Sequence, residues 1–88
     1  MKVEYRRSFE KDLSKIRDRS LLERIREIIE EVENAESLAA VSNIKKLKSE
    51  GNYYRIRVGD YRIGIANRET VVFIRFLHRK EIYKYFLN

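Results

Sequence analysis

The sequence holds no cysteine, a single histidine and three glycines, and each scarcity closes a class of chemistry. Without cysteine there is neither a disulfide framework nor a thiolate metal site. One histidine, His78, leaves a Ser/His/Asp arrangement with a single possible base and no partner motif, and no second His or Cys could complete a metal site. Glycines at 51, 59 and 64 are too scattered for a P-loop or a GxGxxG turn. No run of about 18 apolar residues occurs, nor a charged-then-apolar leader, so neither a membrane span nor a signal peptide is expected. The expectation is one cytoplasmic domain over residues 1–88, with no cofactor, no metal and no membrane association.

What is present in quantity is charge, unevenly placed. Residues 1–44 carry nine Lys/Arg against ten Asp/Glu, whereas residues 45–88 carry eleven against four. The formal net charge of +6 therefore belongs to the second half, the footprint expected of a nucleic-acid-binding face.

Along the chain, Lys2 to Tyr5 reads as a short strand with Val3 and Tyr5 inward. Ser8 is the expected N-cap of a first helix, with Phe9, Leu13 and Ile16 at helical spacing. Ser20 and Glu23 fit a capping box opening a second helix, whose apolar stripe runs through Leu21, Leu22, Ile25, Ile28, Ile29 and Val32. Glu27, Glu30, Glu31 and Glu33 read as its solvated face. Asn34 to Asn43 is a connection with one helical turn near Ser37 to Val41. Ile44 to Lys48 approaches the next strand as exposed chain, so Lys45, Lys46 and Lys48 either extend a basic face or line a plain solvated loop. Ser49 to Asn52 reads as a turn, and Glu81 to Leu87 as a short terminal helix. The predicted class is α+β: a small antiparallel sheet, an N-terminal helical hairpin on one face, and a short C-terminal helix.

Tyr53 to Arg79 carries the functional signal. Strand side chains alternate between faces, so Tyr54, Ile56 and Val58 share one side while Tyr53, Arg55 and Arg57 share the other. Gly59-Asp60 is a two-residue hairpin signal that sets Val58 opposite Tyr61, Ile56 opposite Ile63, Tyr54 opposite Ile65 and Arg57 opposite Arg62. Closing the next turn around Arg68-Glu69 sets Ile63 opposite Ile74, Tyr61 opposite Phe76 and Arg62 opposite Arg75. Like charges facing one another destabilise a sheet, so a row of arginines predicts a polyanionic partner, with phosphates the match for guanidinium groups. Arg55 and Arg79 fall on the same face. Gly64, opposite Arg55, would let a nucleic-acid backbone come close, and Tyr53, Phe73 and Tyr83 offer rings on or near that face for base stacking, although packing under the terminal helix is the commoner use of a residue such as Phe73.

RNA cleavage by attack of its own 2′-hydroxyl suits these residues, because it requires in-line positioning and cations rather than a protein nucleophile. Arginine holds its proton, so proton transfer falls to Tyr83 or to one of Lys45, Lys46 and Lys48.

The segments KKLK at 45–48, YYRIRVGDYRIGI at 53–65 and LHRKEIY at 77–83, preceded by a helical hairpin, resemble the RelE branch of the RelE/ParE toxin superfamily over nearly the whole chain, with archaeal RelE-like toxins most similar. The resemblance implies a metal-independent endoribonuclease that cleaves mRNA in the ribosomal (30S) A site and is neutralised by a cognate antitoxin. By motif it assigns the catalytic role to Arg55, Arg57, Arg62, Arg79 and Tyr83; enteric relatives often carry lysine where Arg55 and Arg57 stand, and Tyr83 lies nearer Arg79 than in those relatives. Lys45, Lys46, Lys48, Tyr53 and Arg75 complete the expected RNA-binding set, Arg75 on register alone. Two other readings stand beside this one: a ParE-like gyrase poison without nuclease activity, and a non-catalytic nucleic-acid-binding module.

Overall fold

The computed structural model describes residues 1–47 and 51–86. In chain order the elements are β1 (Val3–Tyr5), α1 (Arg7–Ser14), α2 (Arg19–Asn34), a 3-10 turn (Leu38–Ala40), β2 (Ile44–Lys46), β3 (Tyr53–Val58), β4 (Tyr61–Asn67), β5 (Val71–His78) and α3 (Ile82–Tyr85). The strands form one sheet in the order β1-β5-β4-β3-β2. The α+β class holds with a refinement: β2 to β5 are antiparallel, but β1 runs parallel to β5. β1 is followed by two helices and not by a tight turn, so nothing forces it to oppose its neighbour. Ile44 to Lys46, expected as exposed approach, is a strand paired with β3. Lys48, together with Ser49, Glu50 and Leu87, lies outside the described residues.

The helices begin where local hydrogen bonding is best served. In α1 the N-cap is Arg6, not Ser8; the Ser8 hydroxyl instead donates to the Ile74 carbonyl at 2.6 Å and ties the helix to β5. In α2 the Asp18 carboxylate accepts from the Leu21 amide at 3.2 Å, so the cap lies two residues before the expected Ser20. Asp and Ser cap about equally well, and the earlier residue lengthens the helix by two residues. Phe9, Ile25 and Val32 from the helices meet Ile56, Val58, Ile63, Ile65, Phe73 and Phe76 from the sheet in one core. Each such side chain contributes about 1.5–3 kcal/mol on burial.

The first hairpin has the expected register, with Arg57 opposite Arg62 and Ile56 opposite Ile63. Gly59 at φ 58° supplies the left-handed turn residue. The second hairpin differs. Asn67 pairs with Val71 across a three-residue loop, and between Ile65–Phe73 and Gly64–Arg75 one residue, Ile74, is left over as a bulge. The odd loop shifts the register by one and the bulge by one more, so Ile63 lies opposite Phe76 and Arg62 opposite Leu77. The expected Ile63–Ile74, Tyr61–Phe76 and Arg62–Arg75 pairs are thus corrected. Parity also flips at the bulge, which puts both Phe73 and Phe76 in the core. Phe73 is no stacking platform: its ring packs 5.5 Å from Tyr5 and 5.4 Å from Phe9.

Candidate nucleic-acid interface

The hairpin tip gathers the cations. Arg57 and Arg62 face each other across β3 and β4 beside the Gly59-Asp60 turn. The Arg79 amide donates to the Asp60 carbonyl at 2.8 Å, which pins the end of β5 to the same tip. The Arg62 guanidinium folds back to donate to the carbonyls of Gly59 and Tyr61, both at 2.9 Å. Burial first, then the fields of Arg55 and Arg57, push this guanidinium below its ordinary range; Tyr83 opposes the shift and Arg79 adds to it. Arg55, Arg57, Arg62, Arg79 and Tyr83, read separately from the sequence, therefore share one electrostatic neighbourhood.

None of these four arginines has a carboxylate partner among the described residues, where ion pairs join Arg75 to Asp12 and Arg26 to Glu23. Arg55 is under-satisfied as well: its Nη1 reaches the Asn43 carbonyl only at 3.5 Å, and its buried Nε has no acceptor among the described residues. Buried donors in folded proteins are nearly always bonded. A guanidinium N–H left open beside other cations is suited to an incoming oxyanion.

The surrounding residues sort differently from expectation. Lys45 pairs with Arg55, whereas Lys46 pairs with Tyr54 and so projects to the other face. Tyr53 is edge-on to Phe86 at 5.7 Å, and its hydroxyl accepts from Arg68 Nη2 at 3.4 Å. The space over Gly64, expected to admit nucleic acid, is taken by the Phe86 ring. Tyr83 is 51% exposed, open to a ligand. His78, half-buried, lies edge-on to the Tyr61 ring at 5.5 Å.

Arg75 leaves the row altogether. Its Nε and Nη2 donate to the Asp12 carboxylate at 2.8 and 3.1 Å, and the Phe76 amide donates to the same group at 2.9 Å. The bond to Asp12 lifts the Arg75 guanidinium above its ordinary range against the cost of burial, helped by the charges of Asp12 and Glu81. β1 pairs β5 only along Val71–Phe73, so the edge beyond is open and Asp12 closes it. Asp12 and Phe86 were both missed from sequence. Asp12 carried a signal, a carboxylate set between Phe9 and Leu13 on the apolar stripe of α1; Phe86 carried one too, a ring one turn beyond Ile82.

A cleft of about 300 Å³ lies beside Asp12, Arg75, His78 and Tyr85, not in the arginine cluster. The cluster itself is an open surface, better matched to an extended polymer than to a small molecule. Among the described residues no helix is long and apolar enough to cross a membrane.

Known proteins share this fold. The family described as the ParE toxin of type II toxin–antitoxin systems matches residues 3–83. Toxin RelE3 of Methanocaldococcus jannaschii is 51% identical over 88 residues, covering 98% of this chain and 99% of that one. The toxin of a RelB-RelE antitoxin-toxin complex from Methanococcus jannaschii superposes with a TM-score of 0.78 at 49% identity, covering 94% of this chain and 98% of that one. A chain of the archaeal RelE-RelB complex from Pyrococcus horikoshii OT3 shares the fold, with a TM-score of 0.73 at 20% identity over 89% of this chain and 93% of that one. With a family match spanning nearly its whole length and a relative of half-identical sequence, the chain belongs to the RelE/ParE superfamily and is a RelE-like toxin of a type II toxin–antitoxin system.

Proposed function

We propose that this toxin is a ribosome-dependent, metal-independent endoribonuclease that cleaves mRNA in the A site, acts in the cytoplasm and is held in check by a cognate antitoxin. The observation that carries the reading is the set of four arginines near the Gly59-Asp60 tip that have no carboxylate partner among the described residues, with Tyr83 within electrostatic reach of Arg62. Such a cluster costs the fold stability and returns it on meeting phosphate.

The reaction needs little else. The 2′-hydroxyl loses its proton and attacks the adjacent phosphorus in line; the bond to the 5′-oxygen breaks, leaving a 2′,3′-cyclic phosphate and a 5′-hydroxyl that takes up a proton. Arg57, Arg62 and Arg79 hold the non-bridging oxygens as charge develops. Arg55, with Lys45 beside it, takes a neighbouring phosphate. Tyr83, exposed and within electrostatic reach of Arg62, is the group suited to exchange a proton with the reacting oxygens. Lys48 remains a candidate contact from the motif.

The test is cleavage of a defined mRNA on programmed ribosomes by the purified toxin, with and without EDTA. Cleavage at the A-site codon in both is expected; no cleavage, or cleavage abolished by the chelator, overturns the reading. A second reading is favoured by one observation, that the matching family is described as a ParE toxin. On that reading the toxin traps gyrase on DNA while mRNA stays intact, and the same preparation distinguishes the two. Copurification with a short antitoxin encoded beside the gene checks the partner.

A further inference from the structure

Gly64 is not a glycine for backbone reasons. Only Gly51 and Gly59 have positive φ among the glycines, and Gly64 is paired on both sides, with Arg55 on β3 and with Arg75 on β5, where the extra residue of the adjoining bulge belongs to β5. What it supplies is room. A Cβ at this position would stand 2.9 Å from three ring atoms of Phe86, closer than packed carbons come, so the ring lies directly on the β4 backbone. The same ring meets Tyr53 edge-on.

Phe86 follows α3, a helix of four residues. So short a helix has no stability of its own and takes its position from what it packs on. Two side chains one turn apart anchor it: Ile82, fully buried, and Phe86, whose amide donates to the Ile82 carbonyl at 2.9 Å. Tyr83 sits between these anchors, half exposed, and has no described hydrogen bond that would fix it. Its place at the edge of the arginine cluster, within electrostatic reach of Arg62, is inherited from them.

We propose that Gly64 and Phe86 form a latch that positions Tyr83 against Arg62, and that Phe86 is a positioning residue for the cleavage step. The assignment rests on the endoribonuclease reading for its activity arm. Its structural arm does not.

The experiment combines ribosomal cleavage kinetics of the full chain with NMR of protein labelled at glycine and tyrosine. In the unaltered protein the Gly64 Hα signal lies upfield, shielded by the Phe86 ring. Phe86→Ala removes that shielding and moves the Tyr83 ring signals toward those of a free tyrosine. The Tyr61 signals, set by stacking on Phe76 at 4.9 Å, stay in place and report an intact fold. In the same variant kcat falls about 100-fold, the size of effect that misplacing a reacting group produces, while KM changes little. Gly64→Ala, which evicts the ring, gives the same loss, and the double variant is no worse than either. Phe86→Tyr, which keeps the ring, restores both signals and rate. In a Tyr83→Phe background, Phe86→Ala adds nothing. Unmoved Tyr83 signals in Phe86→Ala overturn the proposal, as does a full second loss in the Tyr83→Phe background. If the unaltered toxin does not cleave, the endoribonuclease reading falls and the NMR arm alone decides whether the latch places Tyr83.

Discussion

Arg62 and Arg75 lie on neighbouring strands of one sheet and are both half-buried, yet their electrostatic situations are opposite. Arg75 is bound through two nitrogens to a buried carboxylate, and its charged form is favoured. Arg62 has backbone carbonyls for partners and like charges for neighbours, and its charged form is penalised. The first arginine completes the fold; the second strains it. A cation that the protein leaves uncompensated is the one available to a ligand.

Removing the structural partner gives the largest expected effect. Asp12→Ala leaves Arg75 and the Phe76 amide without an acceptor at a site where the carboxylate is only 8% exposed. A loss of about 3–5 kcal/mol in unfolding free energy is expected, measured by urea titration; a loss under about 1 kcal/mol, the range of surface pairs, would erase the distinction between the two arginines.

Arg62→Ala sharpens the contrast from the other side. Ribosomal cleavage falls about 100- to 1,000-fold, as when one preorganised donor is removed from a developing charge, while the thermal midpoint is unchanged or higher because a repelled charge has gone. A fall in the midpoint comparable to that of Asp12→Ala would break the comparison.

The smallest effect is in binding. Each phosphate contact adds roughly 0.7 to the slope of log affinity against log salt for single-stranded nucleic acid. Titration of a short RNA by fluorescence anisotropy should lose about one such increment in Arg57→Ala and none in Arg75→Ala. Equal losses in both would return Arg75 to the row.

The sequence was legible where spacing leaves a single solution. Gly59-Asp60 admits one hairpin register, so the Arg57–Arg62 pair and the core-facing Tyr54, Ile56 and Val58 follow from it. The motif residues Arg55, Arg79 and Tyr83 likewise converge on Arg62. Legibility ended at the second turn. Asn67 to Thr70 permits loops of several lengths, and the bulge at Ile74 depends on α1, which supplies both the Ser8 hydroxyl to the Ile74 carbonyl and the Asp12 carboxylate to the next edge amide. These contacts are 66 and 64 residues apart in sequence, beyond the reach of periodicity. Arg75, Phe73 and Gly64 were misassigned for that one reason or, for Gly64, because its occupant lies in a different element.

The bulge also changes what kind of information β5 carries. Before the bulge the odd-numbered Val71 and Phe73 join the main core cluster, and after it the even-numbered Phe76 does. The strand thus behaves as a counter as well as a surface: the number of residues between the turn and Arg79, independent of their identity, decides which side of the sheet the last arginine addresses. Ile74 can change its side chain and keep that count, whereas adding or deleting a single residue there would send the end of the strand, and the helix that follows it, to the wrong face.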